Sequence, residues 1–310
     1  MGYGNYSQDA HEALLRGRQA LPTQHVFQQQ DCHPLMNPKG ARVRESRDSA
    51  EHPQTLGVVF ALDVTGSMGD IPELMARQQL PHFMKVLTDC KVPDPQLLFM
   101  AVGDATSDRS PLQVGQFEST AELMDQWLTW CHLEGGGGGG GQESYELALY
   151  FLAQHTEMDC WVKRRKRGYL FMTGDEKPYP ILSRHVVEAV IGDRLDDDIK
   201  VEEVLALLQE TFVPFFIIPD RDRRNRQRCE RAWRDLLGDH VLCMEAPADV
   251  CFVAAGALLL SEGLVADLQA LEAALLASGM PQYRKATVIK TLRPLAGVQD
   301  VKKSGWRFWR

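Results

Sequence analysis

The chain has no C-x-x-C pair, no surplus of positive charge and no apolar run long enough to cross a bilayer. Its seven cysteines, Cys32, Cys90, Cys131, Cys160, Cys229, Cys243 and Cys251, are odd in number and widely scattered. That pattern argues against a disulfide framework and a cysteine-based zinc site, and predicts reduced, mostly buried thiols. A formal charge of −8 leaves no electrostatic footprint for nucleic acid. The main uncharged apolar stretch, about residues 250–260, falls short of the roughly 20 residues a membrane helix needs. The first residues contain no apolar h-region, so no secretory signal is expected. Met1-Gly2 is followed by Tyr6 where a myristoylation signal needs Ser or Thr. These absences together predict a cytoplasmic protein. The nine histidines show no metal-ligand spacing, and no internal repeat is visible. Seven consecutive glycines at 135–141 are not followed by Gly-Lys-Ser/Thr, so they are not a phosphate-binding P-loop and read as a mobile loop or lid.

What is present is an ordinary globular composition, 44% hydrophobic and 25% charged over 310 residues. Residues 1–54 are polar and interrupted by Pro34 and Pro38. They read as an N-terminal arm with a helix at about 7–18 capped by Ser7. Residues 55–262 alternate between buried-strand and helix patterns. Continuous apolar runs at 56–62, 97–103, 168–173, 213–218 and 241–244 predict strands. Helices are expected at about 72–90, with a bend or restart at Pro81, and at 120–132, 145–155, 198–211 and 248–261. Residues 112–117 alternate like a half-exposed edge strand paired as a hairpin with the second strand. The result is an α/β architecture, a doubly wound, mostly parallel Rossmann-like sheet with one antiparallel edge strand. Residues 263–310 form a helical, basic C-terminal extension with a helix over 264–277. Its tail ends Trp306-Arg307-Phe308-Trp309-Arg310, and Trp306 and Trp309 either dock on their own domain or anchor a partner. The basic cluster 163–167 reads as an exposed loop, and the arginine-rich stretch 221–234 as a solvated helix face.

Oxygen-bearing residues collect at the carboxyl ends of the predicted strands, where open α/β sheets bind ligands. Asp63 ends the first strand, with Thr65 and Ser67 at alternate positions behind it. Asp104 ends the second strand, Asp175 ends the fourth, and Gln142, Glu143 and Ser144 emerge from the glycine loop at a helix start. Hard oxygen ligands without thiolate or imidazole favour Mg2+, or Mn2+ and Ca2+, over zinc. Hydroxyl ligands are neutral and leave the cation ready to accept an acidic oxygen from outside, which suits metal-bridged recognition. The competing reading of Asp63-Val64-Thr65-Gly66-Ser67 is a helix-capping turn. Three oxygens at alternate positions after an apolar strand favour the metal.

Asp63-x-Thr65-x-Ser67, after a buried strand and before a helix, resembles the metal-ion-dependent adhesion site (MIDAS) of von Willebrand factor A-type (VWA) domains. The likeness covers about residues 56–260. That family's pattern is Asp-x-Ser-x-Ser on a first loop, Thr on a second and Asp on a third. Here Thr65 replaces a serine, and the third loop reads Thr173-Gly174-Asp175 where the family often has Thr-Asp-Gly. No threonine follows the glycine loop, so Glu143, Ser144 or Gln142 takes its place. Arg-Asp-Ser, Asp-x-Thr-Gly-Ser-Met-Gly and Glu-Ser-Tyr segments are similar to those of cytoplasmic VWA proteins of bacteria and phages. The resemblance implies a bound Mg2+ or similar ion and work in a multiprotein assembly, beside AAA+ ATPases, kinases or phosphatases. The ligands would be Asp63, Thr65, Ser67, Asp175 and Glu143, with Asp104, Ser144 and Gln142 in support. The favoured function is a non-catalytic interaction module. The alternatives are a metal-dependent phosphoryl hydrolase using Glu143 or Asp104 as base, and an assembly component whose metal site is vestigial. A haloacid-dehalogenase-type phosphatase is disfavoured, because Thr65 stands where that chemistry needs an acid.

Overall fold

The apolar run beginning at Leu56 becomes the centre of a sheet. The computed structural model describes residues 4–41, 43–66, 68, 70–135, 141–219 and 223–296, with the backbone alone at 223–226. Helix α1 (Gln8–Arg18) is capped by the Ser7 hydroxyl, which accepts from the Ala10 amide at 3.2 Å. A single turn, α2 (Thr23–Val26), and strand β1 (Arg44–Ser46) follow. Every residue of β2 (Leu56–Asp63) is buried. Helix α3 (Asp70–Leu74) widens into a π-helical stretch at Met75–Gln79 before α4 (Leu80–Asp89). The break expected at Pro81 is thus realised one turn earlier, because proline lacks an N–H and crowds the carbonyl four residues back.

Strands β3 (Pro95–Val102) and β4 (Leu112–Val114) lead to α5 (Ala121–Thr129). Beyond the glycines come β5 (Gln142–Glu143), α6 (Tyr145–Gln154), β6 (Thr156–Met158), α7 (Asp159–Arg164), β7 (Gly168–Thr173) and β8 (Lys177–Pro178). A small excursion follows, β9 (Ile181–Leu182), α8 (Arg184–Val190) and β10 (Ile199–Lys200), and returns through α9 (Val201–Thr211) to β11 (Phe212–Pro219). Helix α10 (Arg223–Leu237) and strand β12 (Val241–Met244) complete the sheet. Helices α11 (Val250–Glu262), α12 (Leu268–Ala277) and α13 (Lys285–Ala296) close the described chain. Among the described residues no helix is long and apolar enough to cross a membrane.

The main sheet has the order β12-β11-β7-β2-β3-β4, with every neighbouring pair parallel except the antiparallel β3–β4 edge. The doubly wound, mostly parallel sheet with one antiparallel edge strand is therefore what forms. Strand order reverses between β2 and β7, so the crevice outside their carboxyl ends is the topological switch point. Phe60, Phe83 and Phe171 meet on one face of the sheet, with ring centroids 5.0 Å (Phe60–Phe83) and 5.6 Å (Phe60–Phe171) apart. Each such ring contributes roughly 2–3 kcal/mol by leaving water.

Four expectations need correction. Strand β4 is wholly buried rather than half-exposed. Two segments cover it: from the arm, Arg44 donates to the Val114 carbonyl at 3.0 Å, and beyond α5 both backbone groups of His132 pair with the Gln113 side chain at 2.9 Å. The basic cluster at 163–167 is not simply a loop. Lys163 and Arg164 end α7 and pair with Asp159 at 2.7 Å and Asp48 at 2.6 Å. The helix expected from residue 264 begins at Leu268, where the Asp267 carboxylate caps the Ala270 amide at 2.8 Å. Helix α8 and the β9–β10 ladder were not expected.

Candidate metal centre

Asp63 ends β2 at the switch point and is fully buried. Its Oδ1 accepts from the Thr65 amide at 2.9 Å and the Thr65 hydroxyl at 2.6 Å, and its Oδ2 from the Tyr145 phenol at 2.6 Å. The alternate spacing read from sequence therefore does bring Asp63 and Thr65 together. A carboxylate offers about four lone-pair positions. Oδ1 is saturated by Thr65, and Oδ2 keeps one position beyond Tyr145. Ser67 lies outside the described residues, as do Trp306 and Trp309.

The glycine loop returns as β5, paired in parallel with β8. Gln142 spends its amide on the Pro178 carbonyl at 3.2 Å. Ser144 donates its backbone N–H to the Gly103 carbonyl at 3.2 Å, while its hydroxyl accepts from the Ala105 amide at 3.0 Å. Those bonds tie the start of α6 to the end of β3, and Gln142 and Ser144 serve as braces. Glu143 is 4% exposed, and its Oε2 is buried without a hydrogen-bond partner. Asp104 is buried too, but its contacts run to the Thr106 amide at 3.0 Å, the Thr106 hydroxyl at 2.6 Å and the Tyr179 phenol at 3.1 Å. It makes no hydrogen bond to Asp63 or Glu143 among these, so it acts on the centre through its field. Asp175 is half-buried and raises the proton affinities of Asp63 and Tyr145 through its charge.

Burial dominates the electrostatics. It pushes Asp63 up to about 6, against the hydrogen bonds from Thr65 and Tyr145 and with help from Asp175. Burial, then the charges of Asp63, Asp104, Asp108 and Glu176, pushes Glu143 up to about 9. Glu146, in the first turn of α6, rises to about 8, again chiefly by burial. Buried acids raised by each other's charge are a place where a cation is stabilised. Among the described residues no three His, Cys, Asp or Glu side chains converge closely enough to hold a metal on their own. Among the described residues the oxygen donors at this end of β2 are the Asp63 carboxylate and the Thr65 hydroxyl. Asp175 supplies charge beside them, and Glu143 a buried carboxyl. The orphaned Glu143 Oε2 is the observation that makes a hard cation fit here.

Sequence reasoning missed Tyr145, Tyr179, Glu146, Asp108 and Glu176. Tyr145 closes the quoted Glu-Ser-Tyr segment, but its role at the site was not read, because nothing local announces that its phenol reaches a residue 82 positions away.

No family model matches the chain, and no curated protein matches it. Among solved structures, the pilus adhesin SpaC of Lactobacillus rhamnosus GG in its open conformation is 8% identical. That match covers 75% of this chain and 31% of the adhesin, with a TM-score of 0.43. Proximal thread matrix protein 1 of the mussel byssus, in the form with a zinc-occupied MIDAS motif, is 12% identical over 73% of this chain and 51% of that one, with a TM-score of 0.39. A von Willebrand factor type A protein of Catenulispora acidiphila is 15% identical over 64% of this chain and 40% of that one, with a TM-score of 0.36. The matched region thus spans about a third to a half of each of these proteins. Overlaps this loose carry no argument about function, which rests on the chain's own residues.

Proposed function

We propose that this protein is a non-catalytic, metal-ion-dependent protein-interaction module of the cytoplasm. The carrying observation is the unpartnered Glu143 Oε2, buried at the switch point in the field of Asp63 and Asp104. Asp63, Thr65 and Ser67 would hold Mg2+, or Mn2+ or Ca2+, with Glu143 and Asp175 nearby. The bound ion would supply an under-neutralised charge that takes a carboxylate from a partner protein. Kinship with cytoplasmic VWA proteins of bacteria and phages, and partners of the AAA+ ATPase, kinase or phosphatase classes, belong to the same proposal and rest on the motif resemblance.

The hydrolase alternative lacks a placed base. Asp104 is engaged by Thr106 and Tyr179, and among the described residues no hydrogen bond orients Glu143 Oε2 as a base.

Thermal melts test the reading. Ion at a hundredfold excess over its Kd stabilises the folded chain by about 2.7 kcal/mol, a Tm rise of about 5 °C for a chain of this size. Asp63→Ala abolishes the rise. No shift at millimolar Mg2+ or Mn2+ would contradict the proposal. Capture of partners from native extract, with and without EDTA, then reads out the interaction itself.

A further inference from the structure

Tyr145 is wholly buried as the first residue of α6, and its position is fixed on several sides. Its ring meets Phe216 edge-on at 5.3 Å and Trp233 at 5.5 Å, and those two stack on each other at 3.9 Å. Trp233 is itself held by donating to the Glu176 carbonyl at 3.0 Å. The start of α6 is pinned to the end of β3 through Ser144. The fourth wall is Gly174. A Cβ there would lie 2.1 Å from the Tyr145 hydroxyl oxygen and 2.6 Å from its Cζ, and 2.9 Å from the Phe216 Cζ. Those atoms belong to rigid side chains within a packed aromatic cluster, so no side chain at 174 is compatible with the phenol where it stands. The third loop can carry its carboxylate only one residue later, at Asp175.

The phenol crosses Gly174 to donate to Asp63 Oδ2. With Thr65 donating twice to Oδ1, the carboxylate is held at both oxygens and cannot rotate about its χ2. One remaining lone-pair position on Oδ2 then points in a fixed direction. Groups that orient a metal ligand in this way commonly change affinity by 10–100-fold when removed.

We propose that Tyr145 is the positioning residue of the metal centre, and that Gly174 is the residue that admits it. This rests on the cation reading given above. The test is Mn2+ titration calorimetry on the full chain. Tyr145→Phe keeps the ring in its aromatic cage and loses only the hydroxyl. Its Mn2+ Kd is expected to weaken by about tenfold or more, and Gly174→Ala, which displaces the phenol, by a similar factor. An unchanged Kd in a folded Tyr145→Phe chain overturns the positioning role while leaving the metal reading standing. No Mn2+ binding by the wild-type chain overturns both.

A second measurement holds should either variant fail to fold. In a Tyr179→Phe chain labelled with 13C at tyrosine Cζ, saturating Mg2+ is expected to shift one buried tyrosine signal. Tyrosine signals that all stay in place overturn the proposal. A phenol that merely fills the core would alter Tm without moving either readout.

Discussion

The sheet carries buried or half-buried acids at both ends, and the two ends treat them in opposite ways. At the amino end, the arm's Asp48 and the α7 residue Asp159 sit under the starts of β2 and β7. Asp48 accepts from Arg164 at 2.6 and 3.1 Å and from Thr55 at 2.7 and 3.1 Å. Asp159 accepts from Lys163 at 2.7 Å, Arg47 at 3.2 Å and the Asp48 amide at 2.8 Å. Burial alone would raise both acids, but these partners outweigh it and hold both below the ordinary carboxylate range. At the carboxyl end, Asp63, Glu143 and Glu146 are more deeply buried, have no basic side chain among their hydrogen-bond partners in the described residues, and are pushed upward. Where acids build the scaffold, the chain supplies bases. Where they line the switch point, the burdens on Glu143 are burial and other acids, the state a divalent cation relieves.

The largest effect expected from breaking this contrast is at the scaffold end. Asp48→Ala strands Arg164 and the Thr55 groups and lowers stability by about 3 kcal/mol, measured as a lower urea midpoint with unchanged slope. Its Mn2+-dependent rise in Tm persists. Asp63→Ala does the reverse, abolishing the stabilisation of about 2.7 kcal/mol expected at a hundredfold excess of ion.

A buried base in the arm gives a third case. His11 is pushed down to about 4, chiefly by burial and then by Arg18, and its Nε2 has no partner. The unfolded chain protonates this histidine near 6.5, whereas the folded chain resists until about 4. The unfolded state therefore binds more protons across that window, and stability is lost as pH falls from 6.5 towards 4, by about 2–3 kcal/mol. Urea midpoints at pH 7 and 4.5 read it, and His11→Leu flattens the difference.

The smallest effect has the opposite sign at the two ends. Glu143→Gln removes the need to protonate a buried carboxyl on folding and raises metal-free stability at pH 7 by about 1 kcal/mol. Asp159→Asn, in the matched cluster, lowers it. Equal signs in paired thermal melts would erase the distinction between the two ends.

Much of this was legible locally. Strand β2 was read to its last residue because a run buried on both faces is apolar throughout, and Asp63 marks its end. The Asp63–Thr65 pair was legible because both lie on one turn. The missed features depend on distance in sequence. Tyr145 finds Asp63, Lys163 and Arg164 find Asp48, and the arm covers β4, all across spans that no periodicity encodes. The β9–β10 ladder is two residues long, below the reach of any alternation pattern. The order Thr173-Gly174-Asp175 looked like a departure from the adhesion-site pattern. In the fold it is the space that the Tyr145 phenol requires.

The central claim is that the carboxyl-end acids form a cation site and the amino-end acids do not. Electron paramagnetic resonance of free Mn2+, titrated against the wild-type, Asp63→Ala and Asp48→Ala chains, tests it most directly. The account predicts bound Mn2+ in the wild-type and Asp48→Ala chains and none in Asp63→Ala. Equal binding by all three, or none by the wild-type chain at millimolar ion, would contradict it.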